Sequence, residues 1–154
     1  LDYLTSLFAQ KAFCPDLLLV NCGLHDIKTS TETGAIQIPL ETYRRNLETL
    51  VARSRERGMP LVWIRTTHSV DAIHNGRSLE FHRFSRDNDR YDATALEMMA
   101  AGGVPVIDLR TFTRTLGADE ELFVDHVHFS EPVRQQQGAF IAGWLQGWRA
   151  ARNS

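Results

Sequence analysis

Hydrophobic positions along the chain follow two rhythms that alternate. In "LDYLTSLFAQKAF" the residues Leu1, Leu4, Leu7 and Phe8 recur at helical spacing, and Pro15 stops the helix. "CPDLLLVNCG" follows, with a continuous apolar run from Leu17 to Val20 that ends at Gly23. Such a run marks a strand buried on both faces of a parallel sheet. The stretch 23–39 is polar and irregular and reads as a loop. In "LETYRRNLETLVARSRERG", Leu40, Tyr43, Leu47, Leu50 and Val51 share one face, charge takes the other, and Gly58 ends the helix. "MPLVWIRTT" is a second buried strand, and 68–85 a long polar loop whose His74 and His82 are expected in solvent. "RDNDRYDATALEMMAAGG" is a third helix, with Tyr91, Leu96 and Met99 apolar, and "VPVIDLR" a third strand. A mixed stretch, 111–130, leads to a last helix with Pro132 in its first turn. In that helix Phe140, Ile141, Trp144, Leu145 and Trp148 are expected to pack inward.

Strands that alternate with helices imply a parallel sheet with right-handed crossovers. Ligands of such sheets bind beyond the carboxyl ends of the strands. The sequences just past those ends are "NCGLHD", "RTTHS" and "DLRTF", so the chemically able residues gather along one edge. No repeat interrupts the pattern, and 154 residues suit one domain, 1–154.

Composition narrows the function classes. The chain is 43% hydrophobic and 23% charged, with a net charge of -2. That balance provides no basis for binding nucleic acid or an anionic membrane surface. The run "PDLLLV" is far too short to span a bilayer. Cys14 and Cys22 stand at opposite ends of one extended segment, out of disulfide reach, and read as unpaired and mostly buried thiols. The compartment and the oligomeric state are not legible.

Near the end stands "ELFVDHVHFSEP". Asp125 and His128 are spaced so that a loop can set the carboxylate against the imidazole Nδ1, leaving Nε2 as a general base. The same residues also suit a plain helix entry, with Ser130 as N-cap. The "NCGLHD" block sets Gly23, His25 and Asp26 at the end of the first strand, where glycine lets backbone approach a ligand. A metal reading would take Asp125, His126 and His128, with His25 or Asp26 from afar.

In this order and on this framework, the two blocks resemble the SGNH hydrolases, also called GDSL esterases. The resemblance rests on "PDLLLVNCG", on Gly23-Leu24-His25-Asp26 matching a G-x-N-D block, and on Asp125-His126-Val127-His128 matching a D-x-x-H block. It implies a flavodoxin-like three-layer α/β sandwich with a parallel sheet, lacking N-terminal strand(s) here. It further implies ester hydrolysis with His128 as base, Asp125 as its orienting carboxylate, and Gly23 with position 25 in the oxyanion hole. His25 stands where the family has asparagine; an imidazole N–H can donate there with a different reach. The family's serine lies in a G-D-S block that is absent from this chain. Ser6 sits mid-helix without a sharp turn to expose it, and Cys22 is a weak substitute. The implied substrate is a small-molecule ester such as an acylated carbohydrate or lipid, with no cofactor. The competing readings are a metal-dependent hydrolase built on the histidines and an inactive relative that binds a carbohydrate or a protein.

Overall fold

A computed structural model of the chain describes residues 2–78 and 80–152, and of residues 2–5 the backbone alone. Three strands, β1 (Leu18–Val20), β3 (Leu61–Ile64) and β5 (Val106–Ile107), form a parallel sheet in the order β1-β3-β5. Leu18 pairs with Leu61 and Val20 with Trp63; Trp63 and Ile64 pair with Val106 and Ile107. The two apolar runs on either side therefore flank β3, the most completely buried of the three. Helix α1 (Asp2–Ala9) precedes β1, and α2 (Leu40–Glu56), α4 (Ser85–Ala101) and α7 (Glu131–Arg152) are the long helices. The fold is α/β with a parallel sheet and helical crossovers.

The main core lies between one sheet face and the pair α2 and α4. Trp63 is fully buried against Tyr43, Leu47 and Leu50 of α2 and Tyr91, Ala95 and Met99 of α4. The Tyr43 and Tyr91 rings meet at 5.0 Å. Val62, between Leu61 and Trp63, is also fully buried, so β3 is covered on both faces. At the carboxyl ends of β3 and β5, the Arg65 guanidinium joins Asp92 of α4 at 2.8 Å and Asp108 at 3.0 Å. The buried carboxylate of Asp92 persists because it is paired and hydrogen-bonded in this way.

The polar loops contain more structure than their patterns announce. Segment 68–85 contains α3 (Asp71–Arg77) and β4 (Phe81–His82), and β4 pairs antiparallel with β2 (Thr29–Ser30). The buried residue of α3 is His74, so no apolar period could reveal that helix. Segment 111–130 is occupied partly by α5 (Leu109–Arg114) and α6 (Asp119–Leu122). Helix α1 ends at Ala9, well before Pro15. The Cys14 and Cys22 thiols are free, but Cys14 is exposed and Cys22 only half-buried, because each lies outside the strand itself. The apolar face of α7 is half-buried from Phe140 to Trp148, and its buried residues are Val133 and Gln137.

Candidate active site

The segment between α6 and α7 is a closed loop on an aromatic base. Phe123 and Phe129 pair as an isolated antiparallel bridge, and their rings stack at 4.6 Å. The Val124 N–H donates to the His128 carbonyl at 2.9 Å, and the Ser130 N–H to the Leu122 carbonyl at 2.8 Å. At the tip, Asp125 Oδ1 accepts the N–H of Val127 at 2.8 Å and of His128 at 2.7 Å. Its other oxygen, Oδ2, lies 2.7 Å from His128 Nδ1. The aspartate thus builds a side-chain turn and orients the ring in one arrangement. With Nδ1–H donated to Asp125, the lone pair of Nε2 is free. The His128 side chain is 69% exposed, so Nε2 is reachable.

Burial tends to push the Asp125 carboxyl up, but the His128 and Val127 N–H groups and the His128 ring outweigh it and hold it well below the usual carboxylate range. Any stability this anchoring gives the folded loop is complete above the ordinary carboxylate pKa. It fades only as pH falls toward the depressed folded value.

Past β1, the chain turns at Gly23, whose φ is 138°. The Cys22 carbonyl accepts the Thr66 hydroxyl at 2.6 Å and the Tyr43 hydroxyl at 3.2 Å. The Asn21 amide donates to the Ile64 carbonyl at 2.8 Å. The Ile27 N–H closes the turn on the Gly23 carbonyl at 3.1 Å. A Cβ at position 23 would lie 3.3 Å from Thr66 Oγ1 in a backbone conformation that side chains rarely adopt. Gly23→Ala is therefore expected to lower stability by roughly 1–3 kcal/mol, read as a lower urea midpoint with unchanged slope.

His25 is exposed on this turn. Partial desolvation and the Lys28 and Arg83 charges push its pKa down. Burial pushes the Asp26 carboxyl up, against its own N–H and that of Gly23. Burial and the Asp26 charge push the Cys22 thiol up to about 12, so it stays a thiol near neutral pH. Ser6 lies within α1.

The two halves of the site are joined by His126 and by residues of the long polar stretch, among them His74, which pattern reading placed in solvent. The Leu24 carbonyl accepts Arg83 Nε at 2.5 Å, and Arg83 Nη1 lies 2.6 Å from His74 Nε2. The His74 ring meets His126 edge to face at 4.9 Å, and His126 lies 6.3 Å from His128 between ring centres. Arg77 Nη1 donates to the Asp125 carbonyl at 3.0 Å. Asp125 and His128 are thus in direct contact, whereas Gly23 and His25 reach them through Arg83, His74 and His126. Correspondingly, His74 is fully buried, not solvated. Burial and the Arg83 charge push its pKa down to about 4. His68, at the end of β3, is buried under the same loop. It contacts Asp119 at 2.7 Å and the Phe123 ring at 5.8 Å. A lone histidine or arginine in a polar stretch has no period, so neither role leaves a signal in one sequence. His126 lies between His74 and His128, edge to face with both rings. Among the described residues, no three His, Cys, Asp or Glu side chains converge as metal ligands.

The site thus joins a parallel α/β sheet, a glycine turn just past its first strand and an exposed Asp-His pair in the loop before the last helix. The chain belongs to the GDSL-like lipase/acylhydrolase family, whose profile matches residues 1–135. Among solved structures it is similar to a lipase/acylhydrolase from Enterococcus faecalis, with 27% identity and a TM-score of 0.66 over 86% of this chain and 62% of that one. It shares the fold of an α/β hydrolase enzyme from the Lake Arreo metagenome, at 17% identity and a TM-score of 0.63 over 90% of this chain and 65% of that one. It shares it also with an acetyl-xylooligosaccharide esterase from Geobacillus, at 13% identity and a TM-score of 0.65 over 91% and 64% of the two chains. The chain thus spans less than two thirds of the length of each. The comparison with curated proteins found no match.

Proposed function

We propose that this chain carries the base, its orienting carboxylate and the oxyanion turn of a carboxylic ester hydrolase. The nucleophilic serine would come from a segment outside the 154 residues. The serine attacks the ester carbonyl while His128 Nε2 takes its proton. Asp125 keeps the ring in the Nδ1–H tautomer and stabilises the imidazolium that forms. The Gly23 N–H and the His25 ring stabilise the tetrahedral oxyanion. The intermediate then expels the alcohol, which His128 protonates. Water, deprotonated by His128, attacks the acyl-enzyme and releases the acid.

The 2.7 Å contact between Asp125 and His128, with Oδ1 held by two backbone N–H groups, carries this reading. The substrate is a small ester, and acylated carbohydrates and lipids are the classes to try. The test uses full-length protein with a short-chain nitrophenyl ester and an acetylated oligosaccharide. The expected result is turnover that a fluorophosphonate abolishes by labelling serine and that a chelator leaves untouched. Loss of turnover on chelation, restored by zinc, would replace this reading with a metal-dependent one.

A further inference from the structure

Arg83 is 3% exposed, yet among the described residues no carboxylate lies within ion-pair distance of it. Its contacts are neutral. Nε donates to the Leu24 carbonyl, Nη1 donates to His74 Nε2, and the guanidinium lies 4.9 Å from the centre of the Phe81 ring. Its backbone N–H donates at 2.9 Å to Asn75 Oδ1, which also faces His74 Nδ1 at 3.1 Å. Those two bonds hold His74 as the Nδ1–H tautomer, so that Nε2 can accept from the guanidinium. Burial alone pushes the Arg83 pKa down, with no neighbouring charge to offset it. Buried cations elsewhere in this chain are treated differently: Arg110, also buried, is matched by Asp89 and Asp92.

A buried charge without a counter-charge is expensive to fold, and it persists where the surroundings over-determine it. Here the surroundings are the two halves of the candidate site. The guanidinium holds the Gly23–Asp26 turn by the Leu24 carbonyl. Through His74 it also supports His126, the neighbour of His128. It also shares the turn with His25 and is one of the cations that push the His25 pKa down. A fixed positive charge in a low-dielectric position behind an oxyanion site stabilises charge that develops there and needs no reorganisation at the moment of reaction.

We propose that Arg83 is a positioning residue of the ester-cleaving site: it sets the oxyanion turn against the histidine loop and backs the turn with a fixed positive charge. This rests on the esterase reading above. The oxyanion of the transition state would be the transient counter-charge that the resting protein lacks. Lys28 differs in kind, since its ammonium lies over the Phe81 ring at 4.4 Å on a half-exposed residue.

The test compares wild type, Arg83→Met and Arg83→Lys in full-length protein, with His128→Ala as a control. Two readouts are taken: kcat and KM on a short-chain nitrophenyl ester, and the His25 imidazole titration by NMR. Arg83→Met is expected to lower kcat by about 30-fold or more with KM within about threefold, since the loss falls on the transition state. It should also raise the His25 midpoint. Arg83→Lys should restore that midpoint and recover kcat by about tenfold, short of wild type because one ammonium cannot make both bonds of the planar fork. If Arg83→Met fails to fold, Arg83→Lys decides alone: an unmoved His25 midpoint with kcat about threefold to tenfold below wild type supports the proposal, and a wild-type kcat overturns it. A kcat loss in Arg83→Lys as deep as that of His128→Ala overturns it. So does wild-type turnover in a folded Arg83→Met, or an unmoved His25 midpoint there. Turnover that survives His128→Ala instead overturns the esterase reading, and with it the catalytic part of this proposal, while the His25 titration still reports whether the charge reaches the turn.

Discussion

Replacing His128 with alanine in the full-length protein is expected to lower kcat on a short-chain ester by about four to six orders of magnitude, with KM changed by no more than a few-fold. The base acts only once the serine proton begins to leave, so its loss falls on the transition state and leaves ground-state binding alone. Asp125→Asn should cost about 10⁴-fold, because an amide facing Nδ1 favours the wrong ring tautomer. The backbone consequence is separable. Oδ1 of Asp125 accepts two N–H groups, and the asparagine carbonyl oxygen can still accept both, so the loop should keep its shape in that variant. Asp125→Ala removes the turn as well and should lower the stability of the loop in addition to activity. His126→Ala removes a ring from His74 but touches neither reacting atom, and should cost less than about tenfold. Equal damage from the two histidine substitutions, measured side by side, would point to metal ligation.

The parts of the molecule that were legible are those in which burial writes a period. Leu61 to Ile64 reads as a strand because both faces of a central sheet need apolar residues, and β3 is covered on both faces; Leu17 to Val20 reads the same way, but β1 ends the described sheet and Leu19 is exposed on it. Tyr43, Leu47 and Leu50 announce α2 because one helical face meets the sheet. The Asp125–His128 pair was legible for a different reason: the contact is local, and three residues of spacing almost dictate it. What stayed hidden was polar and long-range. Helix α3 buries an imidazole where a pattern would need a leucine, and β2 and β4 are two residues each. Arg83 reaches Leu24 across 59 positions. No local rule in the chain marks which arginine of a polar loop will be the buried one. The apolar face of α7 showed the opposite failure, since its period is clear but the residues from Phe140 to Trp148 are only half covered.

That incomplete cover bears on the second large expectation, which concerns residues 1–154 made alone. Strand β1 ends the sheet order, with β3 on one side and no described strand on the other. Leu19 within it is 39% exposed. Beside it opens a cavity of about 170 Å³, lined by the apolar and aromatic Val20, Tyr43, Leu47 and Leu50, the Cys22 thiol, and the polar Asn21, Asp26 and Asn46. In the GDSL-type arrangement, the strand that bears the serine lies beside this one. A three-residue edge is a weak template by its length, but the exposed Leu19 and the apolar side of the cavity next to it add surface that water solvates poorly. On the proposed reading, in which the serine lies outside these residues, the chain alone should be silent toward a short-chain nitrophenyl ester. It should also self-associate, with a molar mass by light scattering above that of the 17.5 kDa chain and rising with concentration. Adding a segment that pairs with β1 should restore a monomer, and restore turnover only if the segment brings a serine to Nε2. A monodisperse 17.5 kDa species that hydrolyses the ester and reacts with a fluorophosphonate would reverse the argument. The labelled residue would then be a serine of this chain, and peptide mapping of the adduct would name it.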